Sequence, residues 1–280
     1  MHRLEAALDK DGQVVGWQHR IVGQSIMAGT ALAAVMVKDG IDSTSVGGAA
    51  NLPYAVPNMS VELNTTETGV PVLWWRVVGS SHTAYATEAF IDEIAHAAGK
   101  DPFAFRQALL KHHPRHKAVL EIAAKAAGWG DPLPKRKGRG IAVAEAFGTY
   151  VAQVAEVTVA PNGQIKVDRV VCAVDCGTPI NPDVISAQME GGIGFGLGAA
   201  LYGAITLKDG QVEQTNFDAY QVLRIDEMPK VEVHIVPSPE APTGVGEPGV
   251  APGGPAVANA VFAATGKRLR VLPFAVGGTA

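Results

Sequence analysis

Alternating apolar and polar residues near the start of the chain predict a β-hairpin. Two β-prone segments, 2–8 and 13–22, flank a turn at 9–12. Residues 23–71 are rich in glycine, serine, threonine and asparagine, so we expect loops there, with a short helix over 25–36. Because a hairpin is already under way at the first residues, we expect this chain to be part of something larger.

Helical spacing dominates the rest of the first half. An apolar, β-prone segment over 72–78 predicts one more strand. Asp101 and Pro102 supply an N-cap and a first helical residue, and Gly99 and Gly128 are placed to end helices. These signals predict three helices, over 87–98, 102–110 and 116–127.

The second half follows a linker rich in glycine, proline and basic residues over 131–140. Two further helices are predicted over 183–204 and 255–265. Extended segments are predicted over 140–147, 150–159, 165–174, 211–222 and 230–236. The whole pattern predicts an α+β fold with mixed sheets and packed helices, divided into two lobes, 1–133 and 138–280.

Composition limits the possible functions. The 280 residues are 47% apolar and 18% charged, with 32 glycines and 18 prolines, which is typical of a globular, turn-rich protein. A net charge of −4 gives no basic surface for nucleic acid, and no apolar run is long enough to span a membrane. We expect no signal peptide, so the compartment, cytoplasm or periplasm, stays open. Cys172 and Cys176 lie too far apart along one predicted strand for a disulfide, and we expect packed thiols.

One acidic residue stands alone in a glycine- and proline-rich loop with the sequence Gly-Val-Gly-Glu-Pro at 244–248. Glu247 has few neighbouring charges to compete with it. A carboxylate held close to backbone and apolar groups can serve as a general base. From this segment alone, an exposed loop acid without catalytic chemistry is an equally good interpretation.

The glycine run 191–198 lies inside the predicted helix 183–204, so it lacks the strand–turn–helix context of a dinucleotide-binding site. Its glycines thin one face of that helix, which suits close packing as well as a flat cofactor. Gln188 and Glu190 lie one turn earlier. Two interpretations are open. Both residues face solvent, or Gln188 forms a hydrogen bond with a heterocycle or an oxo group of a ligand.

Two basic features are weaker candidates. Arg76 lies in the apolar segment 72–78 and needs a partner, either a carboxylate of the protein or a bound anion. His112, His113 and His116 resemble a metal cluster, but they stand among lysine and arginine with no carboxylate or cysteine nearby. We therefore predict a solvated basic helix end there and no metal site.

Taken in order, these motifs resemble the molybdopterin subunit of isoquinoline 1-oxidoreductase-type molybdenum hydroxylases, in the wider xanthine dehydrogenase and aldehyde oxidase family. The similarity extends over residues 1–274 and is carried by the segments 75–79, 88–95, 99–102, 138–143, 175–182, 188–192, 244–248 and 255–260. It implies part of the corresponding molybdopterin-binding fold. It also implies oxidation of an N-heteroaromatic or aldehyde carbon with oxygen derived from water.

The resemblance implies roles for single residues as well. Glu247 matches the glutamate that accepts a proton from the metal-activated oxygen. Arg76 resembles the arginine near the substrate and oxo region, and Gln188 the glutamine beside the pterin. No residue of this chain is assigned as a metal ligand. The remaining assignments are the cofactor wall for Gly191, Gly192 and Gly246, and the substrate pocket for Val78 and His82.

The implied cofactor is a molybdenum–molybdopterin cytosine dinucleotide, and an implied partner is a small subunit with two 2Fe–2S clusters. In the family, an earlier part of the large subunit supplies a GGGFGR-like loop and a GQG segment that contact the cofactor, and neither occurs here. We therefore expect an N-terminal half of the large subunit as a second partner, together with a small-molecule substrate. Two alternatives stay open: a truncated or structural half without catalysis, and a nucleotide-binding enzyme that uses the glycine run.

Overall fold

The computed structural model describes residues 1–274, which form two main sheets with helices packed against them. The helices are α1 Ala33–Met36, α2 Ser43–Val46, α3 Gly79–Ala97, α4 Pro102–Leu109, α5 Pro114–Ala126, α6 Pro182–Leu201 and α7 Gly253–Thr265, with a 3₁₀ turn at Pro248–Val250. The strands are β1 His2–Leu8, β2 Val14–Gly23, β3 Val37–Lys38, β4 Ile41–Asp42, β5 Met59–Thr65, β6 Lys137–Ala146, β7 Thr149–Val159, β8 Ile165–Asp175, β9 Leu207–Lys208, β10 Gln211–Val212 and β11 Lys230–Ile235. This mixture of sheets and helices confirms the predicted α+β class.

The first sheet contains the predicted hairpin. Its order is β1–β2–β5, with β1 antiparallel and β5 parallel to β2. The second sheet has the order β11–β8–β7–β6, in which β11 is parallel to β8 and the other pairs are antiparallel. Two further pairs of very short strands, β3–β4 and β9–β10, complete the described sheets.

Alternate residues of the four-stranded sheet face two different hydrophobic cores. Along β7, Ala152 and Val154 pack into the core shared with α3, α4 and α5, whereas Val151 and Ala155 pack into the core with α6 and α7. A sheet covered on both faces needs apolar residues on both sides, and β7 is accordingly buried along most of its length and carries valine and alanine on both faces. The helix α7, which follows the Glu247 loop, is thereby fixed against the sheet.

A buried ionic network joins α3 and α4 to the same sheet. Glu88 Oε2 accepts hydrogen bonds from Arg106 Nε at 2.9 Å and from the Val143 N–H at 3.0 Å. Its other oxygen, Oε1, accepts from the Tyr54 hydroxyl at 2.6 Å. Arg106 is completely buried and Glu88 is 2% exposed, so both charges depend on these partners.

The strand predicted over 72–78 is wrong. The segment has no regular structure and ends in a turn directly before Gly79, where α3 begins. Val77 and Val78 have φ angles of 71° and 47°, in the left-handed region that β-branched residues rarely adopt. Hydrogen bonds to the loop 244–248 take the place of pairing with a neighbouring strand.

Other boundaries also differ from the prediction. Strand β5 lies within 23–71, where loops were expected, and the helix expected over 25–36 is reduced to the four residues of α1. The segment 211–222 contains only the two-residue strand β10. The helix α3 begins well before residue 87, the predicted start. For β5 the outcome depends on a partner distant in sequence, because this strand pairs with β2.

The remaining predictions concern the two cysteines, membrane-spanning helices and the division into lobes. Cys172 and Cys176 are buried free thiols, as predicted, and burial raises the pKa of Cys172 to about 12. Within residues 1–274, none of the helices is both long and apolar enough to cross a bilayer. The division into lobes 1–133 and 138–280 stays a prediction, and its last residues, 275–280, lie outside the described part of the chain.

Candidate active site

A cleft of about 630 Å³ lies where the turn before α3, the β6–β7 hairpin and the Glu247 loop meet. The structure thus brings the turn and the loop together although they are 170 residues apart in the chain. The charged and aromatic side chains that line the cleft are Trp74, Trp75, Arg76, Glu145, Phe147 and Glu247.

Glu247 is half-buried in this cleft and is held by a backbone group of the turn. The Val77 N–H donates a hydrogen bond to Glu247 Oε2 at 2.8 Å. No ion pair and no second hydrogen bond to this carboxylate is present within residues 1–274. One oxygen is therefore anchored by the backbone, and Oε1 has no protein partner in that range.

Arg76 connects the turn to the Glu247 loop and to α6. Its Nε donates to the Gly246 carbonyl at 2.9 Å, and its Nη2 contacts the same carbonyl and Gln188 Oε1, the latter at 3.4 Å. The guanidinium carbon also lies 5.5 Å from the centroid of the Phe195 ring. In the described residues no carboxylate pairs with Arg76, and Nη1 has no protein partner.

The glycines assigned to the cofactor wall have different surroundings. A Cβ on Gly192 would lie 3.1 Å from the carbonyl carbon of Gly249, whereas a Cβ on Gly191 would meet nothing within 4 Å. A Cβ on Gly246 would lie 3.8 Å from Gln188 Oε1, at ordinary contact distance. The thinned face of α6 therefore seats the 3₁₀ turn that follows the Glu247 loop, while Gly191 borders open space.

The two residues assigned to the substrate pocket lie in different places. Val78 lines the cleft of Glu247, but His82 lines a second cavity of about 740 Å³. His82 Nδ1 is 3.1 Å from His2 Nε2, and His2 Nδ1 is 2.8 Å from His19 Nε2. Burial lowers the pKa of His82 to about 4, so this ring is neutral at pH 7.

The prediction of a solvated basic helix end at His112, His113 and His116 is wrong for His116, which lies in the first turn of α5. This residue is only 6% exposed, and its ring centroid lies 4.7 Å from that of Tyr150. Burial, with a smaller contribution from His113, lowers the pKa of His116 to about 3. Over the residues that the structure describes, no three His, Cys, Asp or Glu side chains converge to hold a metal ion.

The donors around Glu247 fit an oxygen-bearing anionic cofactor better than a bare metal ion. Arg76 Nη1 and Gln188 Nε2 are donors without a protein partner among residues 1–274. Such donors bind oxygen atoms of an anionic or oxo group and do not coordinate a cation. Gly191 lies one turn after Gln188 on α6 and borders open space, so such a group has room on this side of the helix.

Sequence analysis missed Glu145 and Phe147, which line the same cleft at the end of the β6–β7 hairpin. Phe147 and Gly148 connect the two strands with φ angles of 54° and 77°. Glu145 Oε1 accepts a hydrogen bond from the Gly148 N–H at 2.7 Å. Two predicted strands separated by two residues already indicate such a hairpin, but nothing in the sequence shows that its tip borders the cleft.

Comparison with known proteins identifies the family. Two family profiles, each described as a molybdopterin cofactor-binding domain, match residues 1–110 and 77–229. The beta subunit of isoquinoline 1-oxidoreductase from Brevundimonas diminuta is 34% identical to this chain, and the match covers 97% of this chain. The chain belongs to the molybdenum hydroxylases of the xanthine dehydrogenase and aldehyde oxidase family. The resemblance found in the sequence is therefore confirmed.

One further relative in sequence and one solved structure are similar to this chain. A nicotinate dehydrogenase subunit of Pseudomonas putida is 33% identical over 79% of this chain. The crystal structure of quinoline 2-oxidoreductase from Pseudomonas putida 86 shares the fold, with a TM-score of 0.73 over 95% of this chain at 15% identity. The chain spans 35% of the Brevundimonas protein, 20% of the nicotinate dehydrogenase subunit and 59% of the quinoline enzyme chain.

Proposed function

We propose that this chain is the C-terminal portion of a molybdenum hydroxylase catalytic subunit that oxidises an N-heteroaromatic or aldehyde carbon with water-derived oxygen. Glu247 is the proposed base. One observation carries this assignment: in a chain of this family, Glu247 is a half-buried carboxylate with one backbone hydrogen bond and no described ion-pair partner, at the edge of a cleft of about 630 Å³. A carboxylate so placed can accept a proton without first breaking an ion pair.

The residues around Glu247 have distinct proposed tasks. The Val77 N–H fixes Oε2, which leaves Oε1 to accept the proton. Arg76 Nη1 and Gln188 Nε2 would hold oxygen atoms of the molybdenum–pterin cofactor, beside the open space at Gly191. When bound, this cofactor supplies the Lewis acid that activates a water-derived oxygen and the acceptor for two electrons. The protein's own contribution is thus to position the base and the cofactor.

We further propose that the cofactor is the cytosine dinucleotide form and that two partners complete the enzyme. These are an N-terminal half of the large subunit and a small subunit with two 2Fe–2S clusters. The names of the Brevundimonas and nicotinate dehydrogenase relatives describe each as one subunit of an enzyme, which supports partner chains. Trp74 and Trp75 are 49% and 41% exposed at the cleft, which supports a surface that another polypeptide covers.

A second candidate is a structural half that has no catalysis of its own. The observation that favours it is coverage, because the chain spans only 35% of the Brevundimonas protein. The two candidates differ in what assembly produces. The first predicts bound molybdenum and turnover with both partners present, whereas the second predicts a metal-free, inactive protein under the same conditions.

The test is co-expression with the N-terminal half and the iron–sulfur subunit, followed by metal analysis and steady-state kinetics. Glu247→Gln should lower kcat roughly a hundredfold or more, because a general base contributes about that much, while the molybdenum content stays unchanged. Glu240→Gln is the matched control, since Glu240 is exposed in the same connecting segment, and it should stay within about twofold of wild type. If Glu247→Gln retains metal and turns over within a few-fold of wild type, Glu247 is not the base.

A further inference from the structure

The tip of the β6–β7 hairpin places two side chains at the cleft that the proposed base chemistry does not use. Glu145 is half-buried, and its only described side-chain hydrogen bond is the one from the Gly148 N–H. No cation pairs with it in the described part of the chain. Phe147 is 57% exposed beside it.

The charge of the cleft lining is unfavourable for an anionic substrate in addition to the cofactor that Arg76 is proposed to hold. Its lining contains two carboxylates, Glu145 and Glu247, and one cation, Arg76, so one minus two leaves a formal charge of −1. Nε and Nη2 of Arg76 already bond to the oxygens of Gly246 and Gln188, and its Nη1 is the donor proposed for the cofactor. An entering carboxylate would therefore meet the unpaired charge of Glu145 in a partly desolvated space, where like charges repel strongly.

The residue type at position 147 is unusual for the turn that it occupies. A φ of 54° is unfavourable for a bulky side chain, and asparagine, aspartate or glycine would fit this turn with less strain. Such strained residues cluster at ligand-binding sites, where the surrounding structure enforces them. Trp74 and Trp75 line the same cleft, so several aromatic faces are available to a planar ligand.

We propose that Glu145 and Phe147 select the substrate class: a planar aromatic ring that is neutral or cationic and carries no carboxylate. Phe147 supplies a flat apolar surface for the ring, and Glu145 repels anionic substituents. This inference rests on the proposed function, because it concerns the molecules that reach Glu247. It adds two specificity-determining residues and narrows the substrate from any heteroaromatic compound or aldehyde.

The test uses two matched probes, isoquinoline and an isoquinoline with a carboxylate on its benzene ring. Quenching of tryptophan fluorescence in the 280-residue chain measures binding without turnover, and kcat/KM of the assembled enzyme measures selection during catalysis. Wild type should favour the neutral probe about tenfold or more in both assays, as expected for one like charge in a partly shielded cleft. Glu145→Gln should remove most of this preference and leave the neutral probe within about threefold of wild type.

Two further variants separate charge from ring stacking. Glu67→Gln removes the same charge at a position outside the cleft lining and should keep the wild-type preference. Phe147→Asn removes the ring and introduces a residue that tolerates the left-handed backbone at this position. It should weaken both probes by about two- to tenfold and leave their ratio unchanged.

Three results would overturn the inference: equal affinity of wild type for both probes, an unchanged preference in Glu145→Gln, or no quenching by either probe. The binding assay does not depend on the identity of the base. If Glu247→Gln retains full turnover while the charge preference is seen, the base assignment fails and the selection by Glu145 stands. If Glu247→Gln abolishes turnover but the preference is absent, only the selection by Glu145 fails.

Discussion

Removing one partner of the buried Glu88–Arg106 pair should destabilise the protein more than replacing both. Arg106 is fully buried and bonds to Glu88 through both its carboxylate and its carbonyl, at 2.9 and 2.7 Å, while its Nη1 lies 3.8 Å from Asp92 Oδ1. Glu88→Leu would leave a buried cation without its main counter-ion. Breaking such a pair on one side costs about 3–5 kcal/mol of unfolding free energy.

The double variant Glu88→Leu/Arg106→Met removes both charges and keeps most of the volume. It still leaves the Tyr54 hydroxyl and the Val143 N–H without their acceptor, at about 1–3 kcal/mol for each buried group. Because no unpaired charge remains, we expect it to be more stable than Glu88→Leu alone. The order of the two variants, and not the absolute cost, tests the reasoning.

Urea unfolding and thermal melting measure these differences. For a chain of this size, a loss of 3–5 kcal/mol should lower the melting temperature by roughly 6–20 °C. The matched control is Glu93→Gln on the same helix, which breaks the more exposed pair with Arg270 and should cost at most about 1 kcal/mol. The reasoning is refuted if Glu88→Leu costs no more than this control, or if the double variant is less stable than Glu88→Leu.

Two further predictions concern packing and pH. Gly192→Ala should destabilise the fold by about 1–3 kcal/mol, because its Cβ would lie 3.1 Å from the Gly249 backbone. Gly191→Ala should be neutral or stabilising by up to about 1 kcal/mol, since its Cβ meets nothing within 4 Å. Equal melting temperatures of the two variants would contradict the packing of Gly192 against Gly249. Burial lowers the folded pKa of His116 to about 3 from 6.5, so the unfolded chain alone takes up this proton as the pH falls below 6.5. The free energy of unfolding should then be about 2 kcal/mol lower at pH 5 because of this group. In His116→Leu the urea unfolding midpoint should depend less on pH. If that dependence is unchanged, His116 does not contribute to the loss of stability in acid.

The helices were predictable because their signals act over a few residues. The side chain of Asp101 accepts the Ala104 N–H at 2.9 Å, and that of Asn181 accepts the Val184 N–H at 3.1 Å, as N-caps should. The segment 72–78 has the composition of a strand but no strand to pair with. Its conformation is decided by contacts with residues 170 positions later, which local periodicity does not contain.

The candidate site was predictable only where a motif marks it. Glu247, Arg76 and Gln188 belong to recognisable segments, and the structure places them around one cleft or in contact with its lining. Glu145 and Phe147 lie at the end of an ordinary apolar hairpin, so their position becomes visible only when the sheet is assembled. His82 follows the Arg76 segment closely in sequence, yet its side chain contacts His2 of β1 and lines a different cavity.

The irregular backbone before α3 explains how Glu247 gains its anchor. In a regular strand or helix, the Val77 N–H would bond within its own element and would not be available to a distant carboxylate. The left-handed turn at Val77 and Val78 redirects this N–H to Glu247. The Glu247 loop is held on either side as well, since Arg76 binds the Gly246 carbonyl and Gln153 Nε2 donates to the Gly249 carbonyl at 2.7 Å. Three hydrogen-bonded points thus hold the loop of the proposed base, and a group fixed in this way loses little freedom when a substrate binds, which offsets the strain of the turn.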